Sequence, residues 1–311
     1  MNKTVKTKFT EDAWIAWLKR KLRPGRGVMR SVGDDCAVIK TASAESFLVT
    51  SDMVIEGTHF LLSDATAREI GHKAMAVSLS DIAAMAGIPR WATASVGIPG
   101  HMSRKFLTDL FYGLTTVLEK YGGVLVGGDT NRSEKLVIDV TLIGEAPGGS
   151  FLGRDTARPG DLLLVTGRLG GSGSAGRHLR FTPRIKEAQF IRRYLAPTAM
   201  IDLSDGLAQD LKRLCDESGT GALLYQEEIP LRRGCTVDNG LYDGEDFELL
   251  CAIEPGALSE KQRTRFKKEY NIPLTVIGRM REKKEGIFLE DAAGQKKRVS
   301  HAKAFQHFGL S

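Results

Sequence analysis

The chain holds 311 residues, and at roughly 150 residues per domain that length suits two domains. Hydrophobic residues make up 42% and charged residues 26%, which excludes a disordered chain and fits a soluble globular one. The net charge of +6 is local: residues 260–303 carry 13 Lys/Arg against 6 Asp/Glu, so the remainder is close to neutral, and the basic residues around Phe266 alternate as on a solvated helix rather than a nucleic-acid surface.

Met1 to Lys8 is polar and basic, so no secretory signal is expected, and no apolar run approaches the ~20 residues of a membrane span. Four cysteines lie far apart without a C-x-x-C pair, so neither a zinc site nor a disulfide framework is indicated. A cytoplasmic protein is the expectation.

In chain order, the first predicted helix is capped by Thr10, carries the apolar stripe Trp14, Ile15, Trp17, Leu18 and Leu22, and stops at Pro24-Gly25. Strands are predicted over Cys36 to Lys40 and Phe47 to Ile55. A long helix follows from Ala67 to Ala86, with Thr66 as cap and Gly87 as stop. Next come a strand over Trp91 to Ile98, a helix over Ser103 to Tyr121, and strands at Val124–Val126 and Lys135–Gly144 flanking a turn at Gly127-Gly128-Asp129.

The Gly- and Pro-rich stretch from Pro147 to Gly160 marks a boundary between domains 1–150 and 151–311. The second half reads as a strand at 162–165, a Gly-rich turn, a helix at 184–194, a strand at 199–201 and a helix at 206–218. Strands at 222–225 and 247–253, a helix at 259–270 and strands near 275–277 and 286–289 complete it. The mixture lacks strict βαβ alternation, so the expected fold is a pair of α+β domains.

Aspartates set among apolar residues and glycines carry the chemistry. They are Asp34-Asp35 after Gly33, Asp52 after Thr50-Ser51, Asp81 within a small-residue helix, Asp129 after Gly127-Gly128, Asp202 and Asp205 around Leu203-Ser204, and Glu245-Asp246 after Gly244. An ionised carboxylate buried without a partner is very costly. No Lys or Arg stands at helix spacing on the C-terminal side of Asp81. If these acids converge, divalent cations would neutralise them, and oxygen ligands without His or Cys favour Mg²⁺, which usually serves phosphates. The Walker pattern is absent. Gly171 to Gly176 matches G-x-G-x-x-G, but Pro183 and the absence of a following acid-bearing strand exclude a dinucleotide fold.

The ordered segments Gly33-Asp34-Asp35-Cys36, Thr50-Ser51-Asp52, Glu56 to Phe60, Gly71-His72-Lys73-Ala74, Leu79 to Met85, Val126 to Thr130, Arg154 to Asp161, Asp202 to Leu207 and Gly244 to Leu249 resemble the thiamine-monophosphate kinase family, within the superfamily of aminoimidazole ribonucleotide synthetase. The resemblance spans nearly the whole chain. It implies transfer of the ATP γ-phosphoryl group to thiamine monophosphate, with ATP as co-substrate and several Mg²⁺ ions. By the same likeness Asp35, Thr50, Ser51, Asp52, Asp81, Asp129, Asp202 and Asp205 would ligate metal, with Asp52, Asp129 and Asp205 closest to the chemistry. Gly128, Asp129, Arg154 and Ser204 would contact ATP, and His59, Glu245 and Phe305 would line the acceptor pocket.

The resemblance further implies an N-terminal sheet that pairs across a homodimer, and no nucleic-acid or membrane partner. The sequence departs from the family on the acceptor side: the stretches 177–181 and 231–243 are short, Gly171 stands where an acid is expected, Asp243 where a glycine is expected, and Phe305 replaces a tryptophan. A sister ATP-dependent enzyme acting on another acceptor, or a non-catalytic nucleotide-binding protein, are the alternatives. Cys36 lies inside the aspartate motif and the chain ends Phe308-Gly309-Leu310-Ser311, so neither offers the terminal cysteine a selenide-activating or hydrogenase-maturation relative would use.

Overall fold

The computed structural model describes residues 11–42 and 45–300. Its first half contains α1 (Glu11–Lys21), β1 (Val28–Arg30), β2 (Ala37–Lys40), β3 (Ser46–Ile55), α2 (Ala67–Ala84), β4 (Ile88–Ile98), α3 (Arg104–Glu119), β5 (Val124–Arg132) and β6 (Val137–Glu145). These strands form one sheet in the order β1-β2-β3-β6-β4-β5, antiparallel except for the β4–β5 pair.

The second half contains β7 (Leu162–Thr166), α4 (Ile185–Leu195), β8 (Ala199–Asp202), α5 (Leu207–Ser218), β9 (Thr220–Tyr225), α6 (Val237–Tyr242), β10 (Leu249–Ile253), α7 (Glu260–Tyr270), β11 (Leu274–Glu282), β12 (Ile287–Glu290) and β13 (Lys296–Arg298). They form a second sheet, β13-β12-β9-β11-β7-β10-β8, in which only β12–β9 is parallel. The chain is therefore two α+β domains, each a mixed sheet with helices.

The best-punctuated element is α2. The Thr66 hydroxyl accepts from the Glu69 N–H while the Glu69 carboxylate accepts from the Thr66 N–H, a reciprocal cap worth about 1 kcal/mol. Small residues then let α2 sink into the core: Ile70, Ala74, Met75, Leu79, Ile82 and Ala83 are all buried. Its crossing with α3 is backbone on backbone. A β-carbon on Gly71 would lie 2.1 Å from the Leu110 carbonyl oxygen, and one on Gly113 would lie 2.2 Å from that of Arg68.

One expectation is corrected. Gly127-Gly128-Asp129 is not a turn but the middle of β5, whose register pairs Ala94 with Gly128 and Ser95 with Asp129. A β-carbon on Gly128 would meet the Ala94 carbonyl oxygen at 1.8 Å, so glycine serves close strand packing there. In the apolar stripe of α1, Trp14 and Trp17 stack on each other at 4.9 Å and remain exposed, while Ile15 faces the cavity between the domains. The predicted cap Thr10 lies outside the described residues. Among the described residues, no helix is long and apolar enough to cross a membrane.

Candidate active site

Four segments converge beneath the cavity between the domains. The loop before β2 brings Asp34 and Asp35; β3 brings Thr50 and Asp52; the last turns of α2 bring Asp81; and the end of β8 brings Asp202. Carboxylate oxygens of Asp35, Asp81 and Asp202 all lie within 4.8 Å of one another. Residues 35, 81 and 202 thus meet from distant parts of the polymer because β8 abuts α2 directly and residue 35 leads into β2, which pairs with β3 beside α2.

Hydroxyls organise this cluster. Ser78 donates to Asp52 Oδ2 at 2.8 Å, Ser80 donates to Asp202 Oδ2 at 2.6 Å, and Thr50 donates to Asp81. Arg154 reaches in from the interdomain stretch, with Nη2 2.5 Å from Asp35 Oδ1 and Nε 3.4 Å from Asp34 Oδ1. Among the described residues, Asp52, Asp81 and Asp202 take part in no ion pair.

The electrostatic result is strongly raised carboxyl pKa values. Removal from water pushes Asp35 up to about 7 and Asp202 up to about 6, against the pull of Arg154. Burial raises Asp81 further still, with Asp52, Asp202 and Asp35 adding repulsion. Burial also raises Asp52, against the Ser78 hydrogen bond. Asp35 Oδ2 is buried without any hydrogen-bond partner. An orphaned carboxylate oxygen in an all-oxygen donor set fits a hard divalent cation such as Mg²⁺.

The other predicted residues are distributed around this cluster. Asp205 and Ser204 line the same cavity, a space of about 1250 Å³ shared with Asp34, Asp52, Arg154 and Glu245. Asp205 Oδ2 lies 2.6 Å from Arg213 Nη2, an arginine on α5 that also holds the buried Asp210 at 2.8 Å. Ser51 points to the opposite face of β3, toward Thr141 at 3.2 Å and Asp139 at 3.3 Å. Gly128 and Asp129 sit on the edge strand β5, three strands from β3, or about 14 Å at the usual strand spacing. Within one protomer the fold does not bring them to the cluster.

At the far end of the cavity, the ring of His59 is oriented by Nδ1, which accepts the Ile55 N–H at 3.0 Å. Glu245 faces it from the second domain and binds the ammonium of Lys73, with His178 Nε2 4.0 Å from its other oxygen. Phe305 lies outside the described residues.

Arg213, His178 and Ser78 were given no role from sequence, and Lys73 and Ser80 were named only as members of segments that carry the family likeness. Helix spacing offers a signal for one of them, since Lys73 and Asp81 stand eight residues apart on α2 and so share a face. The pairing of Arg154 with Asp35, 119 residues away, has no local signature.

Comparison with known proteins agrees along the whole chain. The family profile described as "AIR synthase related protein, N-terminal domain" matches residues 33–146, and the corresponding C-terminal domain matches residues 158–290. The thiamine-monophosphate kinase of Buchnera aphidicola (subsp. Acyrthosiphon pisum) is 32% identical over 97% of this chain and 99% of its own. That of Aquifex aeolicus is 32% identical over 87% of this chain and 92% of its own. The solved structure described as "AaThiL complexed with AMPPCP and TMP" superposes with a TM-score of 0.82 at 29% identity, covering 98% of this chain and all of the other. The hydrogenase maturation protein HypE of E. coli shares the fold, with a TM-score of 0.71 at 20% identity.

Proposed function

The chain belongs to the thiamine-monophosphate kinases of the AIR synthase related family, and from that premise we propose that it transfers the γ-phosphoryl group of ATP to thiamine monophosphate, giving thiamine diphosphate and ADP. The observation that carries this reading is the full-length likeness to these kinases, with the carboxylate cluster beneath a cavity between the domains that Asp34, Asp52, Ser204 and Asp205 line.

In this reading residues 1–150 bind metal and nucleotide, and residues 151–311 complete the ATP and acceptor sites. Asp35, Thr50, Asp52, Asp81 and Asp202 hold Mg²⁺ together, and the bound ions supply charge neutralisation to the phosphate oxygens. Arg154, already anchored by Asp34 and Asp35, offers a guanidinium to the triphosphate. Asp52, Ser204 and Asp205 line the cavity that would hold donor and acceptor, and Arg213 steadies Asp205.

A phosphate monoester has a second pKa of about 6 and is largely ionised near neutrality, so this acceptor requires no general base. That suits a cavity whose residues orient and screen charge rather than abstract protons. His59 and Glu245 take the acceptor's ring system. Cys36 is buried, 3.2 Å from the Met85 sulfur through its own N–H, which argues against a cysteine-centred sister chemistry. A phosphotransfer of this kind fits a cytoplasmic enzyme.

The distance of Asp129 from the cluster supports a homodimer. β2 pairs with β3 only over Ser46–Val49, which leaves the Thr50–Ile55 half of β3 with a free edge among the described strands. β5 has its own free edge beyond β4 and exposes Val124 and Val126. Laying β5 of one protomer along β3 of its partner joins the strands β3-β6-β4-β5 of the two protomers and carries Gly128 and Asp129 to Ser51 and Asp52. Each site then draws on two protomers.

The direct test incubates the protein with MgATP and thiamine monophosphate and follows ADP and thiamine diphosphate. Stoichiometric formation of both is expected; ADP only with a different acceptor would overturn the assignment. For the shared site, Asp52→Asn and Asp129→Asn proteins are each inactive alone, and after subunit exchange an equal mixture recovers about a quarter of wild-type activity, because half the dimers are mixed and each has one intact site. No recovery would exclude a contribution of Asp129 from the partner.

A further inference from the structure

Lys73 is a lysine in the interior of α2, 1% exposed, and none of the steps above uses it. Its ammonium donates to the His59 carbonyl oxygen at 2.7 Å and forms an ion pair with Glu245. The first partner follows the end of β3 in the N-terminal domain, and the second sits on a loop of the C-terminal domain. All three residues line the cavity.

Glu245 is held in an unusual conformation. Its φ is +65° and that of Phe247 is +49°, both in the left-handed region that non-glycine residues rarely enter. Two backbone bonds brace the loop: Glu245 N–H to the Ser204 carbonyl at 2.6 Å and Phe247 N–H to the Leu203 carbonyl at 2.8 Å. These bonds place the Glu245 backbone, and Lys73 then fixes where its carboxylate points.

A buried ion pair is weak evidence of stabilisation, since well-packed apolar residues often do as well. The pair makes physical sense as a device for orientation. With one carboxylate oxygen engaged by Lys73, the other is set in a defined direction at the cavity wall, 4.0 Å from His178 Nε2. The same ammonium fixes the backbone of His59, whose ring is set by Ile55.

Resting on the acceptor reading given above, we propose that Lys73 is a positioning residue for the acceptor, a cross-domain tie that holds His59 and Glu245 at a fixed separation. It acts through those two residues and not on the triphosphate, which the carboxylate cluster and Arg154 serve at the other end of the cavity.

The test uses Lys73→Met, close in volume, in the full chain. The specificity constant kcat/KM for thiamine monophosphate should fall about 10- to 100-fold, as expected for a misplaced acceptor, while KM for MgATP stays within about twofold. The loss should not multiply with that of Glu245→Gln: the double variant should be no worse than the poorer single one. Equal loss toward ATP and acceptor, or multiplicative losses, would overturn the tie.

Hydrogen exchange on the ligand-free protein gives a readout independent of activity. In Lys73→Met the amides of Glu245 and Phe247 should exchange at least about tenfold faster, and unchanged exchange would overturn the proposal. If Lys73→Met fails to fold, Glu245→Gln should produce the same faster exchange at Phe247, and its failure to do so overturns the tie. Wild-type protein inactive on thiamine monophosphate would instead sink the functional reading, while the exchange experiment would still decide whether Lys73 holds the loop.

Discussion

Two sets of buried acids in this molecule meet opposite fates. In the C-terminal domain Glu248 is held by Arg184 through Nη2 at 2.6 Å and Nε at 2.8 Å, Asp210 by Arg213 at 2.8 Å, and Asp246 by Arg232. At the domain junction, Asp35 shares Arg154 with Asp34, while Asp81 and Asp202 form no ion pair among the described residues, Thr50 donating to the first and Ser80 to the second. Acids gripped by an arginine of their own domain are part of the scaffold, even where one arginine serves two of them. Acids gathered around too few cations form the oxygen-donor set to which the proposed function assigns Mg²⁺.

The contrast predicts different consequences for neutralising members of the two sets. Asp81→Asn should lower kcat by about 10³-fold or more, since it removes a carboxylate from the metal cluster. The metal-free variant should melt no lower than wild type, because the change relieves repulsion with Asp35, Asp52 and Asp202. Retained turnover would break the comparison outright.

In the arginine-paired set the loss falls on the fold. Arg184→Met strands Glu248, which is 2% exposed, and should cost about 3–5 kcal/mol in denaturant unfolding. A loss under about 1 kcal/mol would mean that the pair is not the scaffold element described.

The pH dependence of the junction acids follows from their raised values. The folded-state values of Asp35 and Asp202, about 7 and about 6, lie above those of the unfolded chain. The stability such groups confer is complete below the unfolded value of about 4 and is lost as pH rises through the folded values. Metal-free wild type should therefore lose melting temperature relative to Asp202→Asn between about pH 5 and pH 8. Mg²⁺ should recover more of that loss at pH 8 than at pH 6, where protons compete with it. Differential scanning fluorimetry across that range would show a flat difference if the cluster were already compensated.

The smallest effect belongs to an exposed pair. Lys105 and Asp109 on α3 lie 2.5 Å apart in solvent, and Lys105→Ala should change unfolding stability by no more than about 0.5 kcal/mol, measurable by the same denaturant titration.

Much of this organisation could be read from residue order. α2 was legible from Thr66 and Gly87, because caps act locally, and Asp81, set among small apolar residues near the end of the helix, announced a site because no capping role accounts for it. The Gly127-Gly128 pair misled, since paired glycines usually signal a turn, whereas Gly128 is there to admit the Ala94 carbonyl oxygen. The short β1, β13 and α6 were not foreseen, being elements of three to six residues whose stability comes from their neighbours. The division of acids into paired and unpaired was invisible as well, because Arg154 and Asp35, or Arg184 and Glu248, meet only after the chain has folded.

The crossing of α2 and α3 at Gly71 and Gly113 has an evolutionary consequence. A helix seated main chain against main chain cannot slide to accommodate a new partner without breaking that seat. Lys73 and Asp81 ride on the same rod, so nucleotide and acceptor ends share one ruler whose divisions are frozen. Divergence toward other acceptors is thereby channelled into the segments around residues 177–181 and 231–243, which can change length and composition while the ruler stays put.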